Sequence, residues 1–290
     1  GMAVANAGVA TISQSLGARL RKRAQRYVGL LFSLGMAMCL VIVAATLLWR
    51  EPFLDLLRVP AQIRPITSYF LTIFSFLLPA QYLLVISNAV FRAHKLLLIP
   101  LMCNMVICLL NGVADFGFGL GYWGLPNYGY QGVAWATFIS VSAGMIFNMC
   151  FIFRKKLFTR YSIPVWRWVK RGTPYLIKVA TPAAALQFMW CIGYLLLFTL
   201  VGNLPHDAVN SLAGMTAGMR VESLLFLPGM AFSMTASILV GQSLGAGKPI
   251  EAKHIGRKLL LVGVCSMSSV AVVLWLLIDP ICAWLTPDPA

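Results

Sequence analysis

Long runs without charged residues, separated by short segments that carry charge, make up most of this chain. A membrane-crossing helix needs about 20 apolar residues, and the uncharged runs are long enough for that. They cover residues 27–49, 65–91, 96–114, 116–153, 179–205, 223–247 and 259–278. Polar residues do not recur at every second position, as they do in the strands of a membrane β-barrel. The pattern therefore predicts an all-α polytopic membrane protein.

The run 116–153 is too long for one helix. Its front half, 117–129, is rich in Gly, Pro and Asn, so a loop and then a helix are expected there. We predict one helix end and seven helices. They lie at about 1–18, 27–49, 66–94, 100–120, 130–153, 174–202, 208–244 and 256–278.

Composition agrees with a bilayer as the main solvent, because 60% of the residues are hydrophobic and only 11% are charged. Soluble domains carry about 25% charged residues. The net charge of +15 would suggest nucleic acid in a soluble protein, but here the basic residues lie between the spans. We therefore interpret them as topology signals and contacts to anionic lipid, and we expect no nucleic-acid partner.

Every second connection between the predicted helices is basic, which places these connections in the cytoplasm and the protein in a bacterial inner membrane. The basic connections are 19–26, 92–95, 154–171 and 248–258, whereas 117–129 and 203–207 contain no Lys or Arg and 50–64 is mixed. Residues 159–173 include Trp166 and Trp168 among basic residues and are predicted to lie along the cytoplasmic membrane surface.

The seven cysteines and three histidines do not form a metal motif, and no Cys-x-x-Cys pair is present. Six of the cysteines occur within uncharged runs, and buried structural thiols are the expected interpretation. Neither a disulfide framework nor a metal site of these residues is predicted.

A repeated pentapeptide is the most informative feature of the sequence. Gln-Ser-Leu-Gly-Ala occurs at 14–18 and again at 242–246, an offset of 242 minus 14, or 228 residues. The same offset aligns further identical or similar residues without a gap. The pairs are Gly1-Met2-Ala3 with Gly229-Met230-Ala231, Ala24 with Ala252, Gly35 with Gly263, and Glu51-Pro52 with Asp279-Pro280.

Both copies precede a basic connection, so they share an orientation in the membrane and are separated by an even number of spans. Our count between them is about six, which indicates a parallel repeat of the kind found in secondary transporters. Because the first copy begins within a helix and the second stops early, we expect the sequence to be a piece of a longer protein.

Several motifs, in order, resemble the multidrug and toxic compound extrusion (MATE) family. Besides the repeated pentapeptide, they are Asn111-Gly-Val-Ala-Asp115, Gly129-Tyr-Gln-Gly-Val-Ala-Trp-Ala-Thr137, and Arg220-Val-Glu222 ahead of Pro228-Gly229. No single motif is decisive, but the set is fairly specific. The resemblance covers the whole chain, from about the second to the ninth helix of the family's twelve.

This resemblance implies two parallel-repeat lobes of six helices, truncated here at both ends. Residues 1–158 would form the N-terminal lobe, 159–173 the cytoplasmic linker and 174–290 part of the C-terminal lobe. The family exports cationic or amphiphilic compounds in exchange for H⁺ or Na⁺, so no cofactor, no enzymatic activity and a monomer are expected. An acidic partner that the family carries on its first helix is not in this sequence.

Asp115 is the strongest candidate for the coupling-ion site, since an ionisable group inside the bilayer costs about 2.5–3.5 kcal/mol to insert. Asn111 lies one helical turn before it, on the same face. Thr137, on the next helix, is expected at a similar depth. Carboxylate, amide and hydroxyl oxygens together suit Na⁺ or a proton. The alternative is that Asp115 only ends its helix near the head groups.

Three further polar residues lie in predicted spans. The family resemblance favours Asn88 as a pocket residue, with a simple interhelical hydrogen bond as the alternative. Glu222 is a possible proton or substrate-cation site in the second lobe. Arg220 is two positions away in sequence, so it does not face Glu222 on the helix. The alternative for both residues is an intramembrane ion pair that only stabilises the structure. Gly17 and Gly245 are expected to end helices, and Gln14 and Gln242 to bond between helices.

The sequence thus predicts a cation-coupled exporter of organic cations that works by alternating access. A lipid-linked saccharide flippase of the same superfamily is an alternative, but it needs a cavity rich in Arg and Lys, and Arg220 is the one clear cation predicted inside a span. A membrane scaffold that does not transport is a second alternative, although it has no need of a repeat.

Overall fold

A computed structural model describes residues 2–56, 64–124, 128–163, 166–202 and 208–277 of the chain. Every predicted helix is present. The described residues form nine α-helices: α1 (Met2–Gly17), α2 (Arg21–Leu48), α3 (Arg50–Leu56), α4 (Arg64–Ala93), α5 (Leu98–Ala114), α6 (Tyr130–Arg154), α7 (Trp166–Gly202), α8 (Ala208–Gly245) and α9 (Pro249–Leu276). The described residues contain no strand.

The structure differs from the predicted boundaries at four helix starts. The short helix α3 occupies the start of the mixed connection 50–64, where no helix was expected. Three helices begin earlier than predicted: α2 at Arg21 and not near 27, α9 at Pro249 and not near 256, and α7 at Trp166 and not near 174. Much of the predicted linker therefore forms the first turns of α7. Six of the described helices are long and apolar enough to cross a membrane: α2, α4, α5 with the turn that follows it, α6, α7 and α9.

The helix α1 lies at the centre of the molecule, where it packs against α2, α4, α7 and α8. It fits there because it presents small residues such as Ala5, Ala7 and Gly8, which let helix backbones approach closely in a membrane. Two of its hydroxyls bond within the helix: Thr11 Oγ1 donates to Gly8 O at 3.1 Å, and Ser15 Oγ donates to Thr11 O at 2.8 Å. The main apolar core surrounds α1 and contains residues of α2, α4, α7 and α8.

The basic connections converge at one end of the molecule. Thr159 Oγ1 lies 3.0 Å from Gln25 Oε1, and Lys22 Nζ lies 5.3 Å from the ring of Tyr161. The guanidinium of Arg26 lies 5.4 Å from the ring of Trp168. The start of α7 is thus held against α2, while the neighbouring Trp166 stays exposed, as expected of a helix start at a membrane surface.

The two repeats keep the same helix register. Both α1 and α8 end at the glycine of the pentapeptide, at Gly17 and Gly245. The helices that follow them, α2 and α9, begin 228 positions apart, at Arg21 and Pro249, and end 228 positions apart. The pair Glu51-Pro52 and Asp279-Pro280 is not compared, because 279 and 280 lie outside the described residues.

Candidate functional site

The end of α5 carries the candidate ion site of the first lobe. The α-helix stops at Ala114, and residues 115–119 continue as a single π-helical turn that Asp115 opens. Such turns often occur at functional sites in membrane and soluble proteins alike. This turn packs closely on α6, since a Cβ on Gly132 would collide with the carbonyl oxygen of Phe118. The glycine therefore lets the turn approach the start of α6.

Asn111 and Asp115 lie one turn apart, as predicted, and each has a buried polar atom without a hydrogen-bond partner among the described residues. These atoms are Asn111 Nδ2 and Asp115 Oδ1. A polar atom in this condition costs about 1–3 kcal/mol unless something bonds to it. The unpartnered Asp115 Oδ1 is suited to accept a mobile ion or proton, whereas Asn111 Nδ2 is an N–H donor, so Asn111 would ligate a cation only through its Oδ1.

Thr137, the third predicted ligand, forms a hydrogen bond within its own helix. Its Oγ1 donates to Val133 O at 3.1 Å, and Val133 is the residue that Gly119 of the π-turn contacts. Thr137 therefore lies one helical turn after the residue that faces the π-turn. Its bond to Val133 uses the hydroxyl proton, so the lone pairs of Oγ1 are not used by that bond.

Asn88 forms the interhelical hydrogen bond that was the alternative to a pocket role, and it also lines a cavity. Its Oδ1 accepts from Asn148 Nδ2 on α6 at 2.8 Å, and the same Nδ2 lies 2.9 Å from Ser87 Oγ. Asn148 is fully buried. Asn148 was not predicted from the sequence, although an amide inside an uncharged run is itself a signal of an interhelical contact.

Glu222 lies in a different setting, between α7 and α8. Tyr194 donates its hydroxyl to Glu222 Oε2 at 2.7 Å. The ring of Trp190 packs against Tyr194 at 5.5 Å and against Phe226 at 4.8 Å. Trp190, Tyr194 and Glu222 line an open, groove-like cavity of about 510 Å³. A carboxylate among aromatic faces suits an organic cation. The side chain of Arg220 lies outside the described part of the chain.

A second cavity, of about 300 Å³, lies between the predicted lobes and is bordered by α1, α4, α7 and α8. Its polar lining consists of Asn6, Asn88, Arg92, Gln187 and Ser233. The sequence pattern assigns Arg92 to a cytoplasmic connection. The structure corrects this, because Arg92 belongs to the last turn of α4 and its side chain is drawn into the cavity.

The two pentapeptides cross each other beneath this cavity. A Cβ on Gly17 would collide with the backbone carbonyl of Gln242, and a Cβ on Gly245 would collide with that of Gln14. The contact is reciprocal and joins α1 to α8 at the basic end of the molecule. Neither glycine has a positive φ, so neither helix end depends on the left-handed conformation that glycine allows. The main role of the two glycines is to let the helices cross closely.

The last turn of α4 connects the cavity to this crossing. Gln242 Nε2 donates to Ala93 O at 3.4 Å, and Ala93 directly follows Arg92 in the chain. Burial lowers the pKa of the next residue, His94, whose Nδ1 lies 2.9 Å from Val90 O. His94 is therefore neutral at pH 7 and does not contribute positive charge at this position.

Comparison with known proteins supports a family assignment. The sequence model of the MatE family matches residues 1–116 and 182–290. The chain is 30% identical over 192 residues to multidrug resistance protein PmpM of Pseudomonas aeruginosa, a match that covers 63% of this chain and 38% of that protein. The FAD transporter of Shewanella oneidensis is 26% identical over 218 residues, covering 73% of this chain and 47% of the transporter.

Solved structures agree on the fold. The Vibrio cholerae MATE transporter VcmN in its bent form matches 99% of this chain and 64% of its own, with a TM-score of 0.81 and 20% identity. An outward-facing multidrug resistance MATE transporter of the MOP superfamily matches 99% of this chain and 62% of its own, with a TM-score of 0.82 and 16% identity. The chain thus spans less than two thirds of the proteins it matches. It is a multi-pass α-helical membrane protein that belongs to the MatE family of transporters.

Proposed function

We propose that this chain works within a cation-coupled antiporter that exports organic cations and other amphiphilic compounds across the bacterial inner membrane. The observation that carries the proposal is the buried Asp115 Oδ1, which has no hydrogen-bond partner among the described residues and has the amide of Asn111 one turn before it. A lone carboxylate is expensive in hydrocarbon, and an arriving H⁺ or Na⁺ would relieve that cost. Thr137 would supply a further oxygen once its side chain rotates, and Na⁺ is the metal that these three side chains suit.

The relatives' names support export as the direction of transport, because PmpM is named as a multidrug resistance protein. Ion binding can drive export only if the ion prefers one of the two lobe arrangements. The π-turn gives a physical route for such a preference. It joins Asp115 to the start of α6 through the contact between Phe118 and Gly132, so a change at the carboxylate alters helix packing within the first lobe.

Glu222 with Tyr194 and Trp190 is the proposed site for the positive group of the exported compound. Its carboxylate borders an open cavity whose lining includes the rings of Trp190 and Tyr194. The flippase alternative needs several basic side chains in its cavity. Among the described residues that line the inter-lobe cavity, Arg92 is the only basic one.

The test is Asp115→Asn in the full-length protein, assayed as ethidium efflux in everted vesicles under an imposed pH or Na⁺ gradient. We expect at least a tenfold loss of gradient-driven efflux at unchanged expression, because the amide cannot exchange a proton and lacks the charge that binds Na⁺. The gradient that drives the wild type identifies the coupling ion.

Asp55→Asn is the matched control, since it makes the same chemical change at an exposed position. Asp55 and Glu51 pair with Arg64 at 2.7 and 2.8 Å, and the hydrogen bond from Arg64 lowers the pKa of Glu51. Exposed pairs of this kind contribute little, so Asp55→Asn should leave efflux unchanged. Gradient-driven efflux at the wild-type rate in Asp115→Asn would refute the proposed role.

A further inference from the structure

Arg92 is a half-buried cation without an acidic partner among the described residues. One of its terminal nitrogens, Nη1, lies 3.3 Å from Met234 Sδ, and a thioether is only a weak acceptor. Its Nε is buried and has no partner among the described residues. A guanidinium carries five N–H donors, so most of its bonding capacity is unused in this arrangement.

Among the described residues, acidic side chains do not supply the missing partner. Their ion pairs join Glu51 to Arg50 and Arg64, Asp55 to Arg64, and Glu251 to Lys248. The described lining of the inter-lobe cavity contains no Asp or Glu. Burying an unpaired charge is strongly unfavourable, so an anion bound in the cavity would stabilise the charge of Arg92.

The neutral polar residues of the cavity are suited to the same kind of partner. Asn88 uses its Oδ1 to accept from Asn148, so its donor group, Nδ2, remains for the cavity. Gln187 enters from α7, and Ser233 from α8 on the opposite lobe. Amide and hydroxyl donors around a guanidinium form the usual setting for a carboxylate or phosphate, whose bonds to Arg are short and strong.

The apolar part of the cavity indicates that the part of the ligand next to its charged group is apolar. Val85 and Met230 line it beside the polar groups, and methionine surfaces repack easily around varied shapes. A volume of about 300 Å³ lies at the small end of ligand sites. It has room for one charged group and the adjoining part of a larger molecule.

We propose that this cavity binds the negatively charged group, a carboxylate or a phosphate, of a transported amphiphile, with Arg92 as its charged donor and Asn88 and Gln187 as neutral donors. The inference rests on the proposed export function and narrows its substrates. Compounds that carry both charges would place their negative group at Arg92. The protein would then favour zwitterions over the corresponding simple cations.

The test measures binding of two dyes to the purified full-length protein by fluorescence anisotropy: a rhodamine with a free carboxylate and its methyl ester, which lacks the negative charge. In the wild type the acid should bind more tightly than the ester. Arg92→Gln should weaken acid binding by about tenfold, the loss of one charge-assisted hydrogen bond, and leave ester binding within about twofold. Arg92→Lys should restore part of the preference for the acid.

A second variant keeps the test valid if Arg92→Gln fails to fold. Ser233→Asp places an anion in the same cavity from an exposed position on the other lobe, and it should also remove the preference for the acid. Arg154→Gln is the matched control, because Arg154 is likewise an arginine in the last turn of its helix but is exposed. It should behave as the wild type.

Three results would overturn the inference. Equal effects of Arg92→Gln on acid and ester would show that Arg92 is only structural. Loss of acid binding when phosphatidylglycerol is added to phosphatidylcholine nanodiscs would assign the cavity to a lipid head group. If the wild type binds neither dye, the proposed export function fails together with this inference, whereas good binding of both dyes without an acid preference removes the inference alone.

Discussion

The two copies of Gln-Ser-Leu-Gly-Ala end their helices through the same set of backbone hydrogen bonds. In the first copy Ala18 N bonds to Gln14 O at 3.0 Å, and in the second Ala246 N bonds to Gln242 O at 2.9 Å. The next two bonds of each turn also correspond, 228 positions apart. Identical local sequence therefore gives an identical helix end, even though the two copies lie in different lobes.

Their side chains find different partners. Gln14 Oε1 accepts from Tyr175 at 2.7 Å, at the start of α7. Gln242 uses the other end of its amide, Nε2, to donate to Ala93 O on α4. The glutamine of each copy thus reaches a helix that belongs to the opposite predicted lobe. The equivalent backbone contacts make the crossing symmetric. The different hydrogen bonds of Gln14 and Gln242 stabilise its two halves unequally.

The largest effect should come from the glycines of the crossing. Gly17→Ala or Gly245→Ala places a methyl group against a backbone carbonyl that no side-chain movement can relieve, at a cost of about 1–3 kcal/mol. Either change should shift the lobes away from the crossed arrangement by roughly tenfold to a hundredfold. Spin labels on exposed Arg23 and Lys253 in the full-length protein should report longer distances between α2 and α9.

Gly256→Ala is the control, because a Cβ there meets its nearest atom, Val240 Cγ2, at an ordinary 3.7 Å. It should leave the distances unchanged. Since the collisions of Gly17 and Gly245 are reciprocal, the two alanine variants should behave alike. A large effect of one variant and none of the other would show that the crossing is not symmetric in solution.

The glutamine contacts should give smaller and unequal effects. Tyr175→Phe removes a short hydrogen bond at a partly exposed position, and the expected loss is about 0.5–1 kcal/mol. Gln242→Leu removes a longer bond, 3.4 Å, and should cost less than that. Melting temperatures in detergent, by intrinsic fluorescence, compare the two. Equal shifts would mean that the glutamine contacts do not distinguish the copies.

Sequence reasoning predicted the helices and the repeat well because both depend on local and periodic signals. An uncharged run identifies a span regardless of its neighbours, and a gapless offset identifies equivalent positions. It predicted the shared face of Asn111 and Asp115 for the same reason, since i and i+4 lie together on any helix. The π-helical turn that begins at Asp115 has no comparable signal, because it depends on how Gly132 lets α6 approach.

The candidate site was harder to predict because long side chains and packing between helices decide it. Arg92 ends its helix next to a basic connection, and from sequence its guanidinium could extend into water or into the protein. Thr137 could face Asp115 or bond to its own helix, and rotamers are not visible in sequence. Which helices border Asn88 depends on the arrangement of α1, α4, α7 and α8, which no local pattern contains.

The smallest expected effect concerns a position of the turn where one copy has a glycine and the other does not. Arg19 has φ of 59°, and the equivalent Gly247 has φ of 75°. A side chain in this left-handed region is strained, whereas glycine is not. Arg19→Gly should therefore stabilise the first copy by about 0.5 kcal/mol, since the greater freedom of glycine in the unfolded chain offsets part of the gain. Gly247→Arg should destabilise the second copy for the converse reason. The melting temperature should rise by about 1 °C in the first variant and fall in the second; a fall in both would mean that the Arg19 side chain contributes contacts that outweigh its backbone strain.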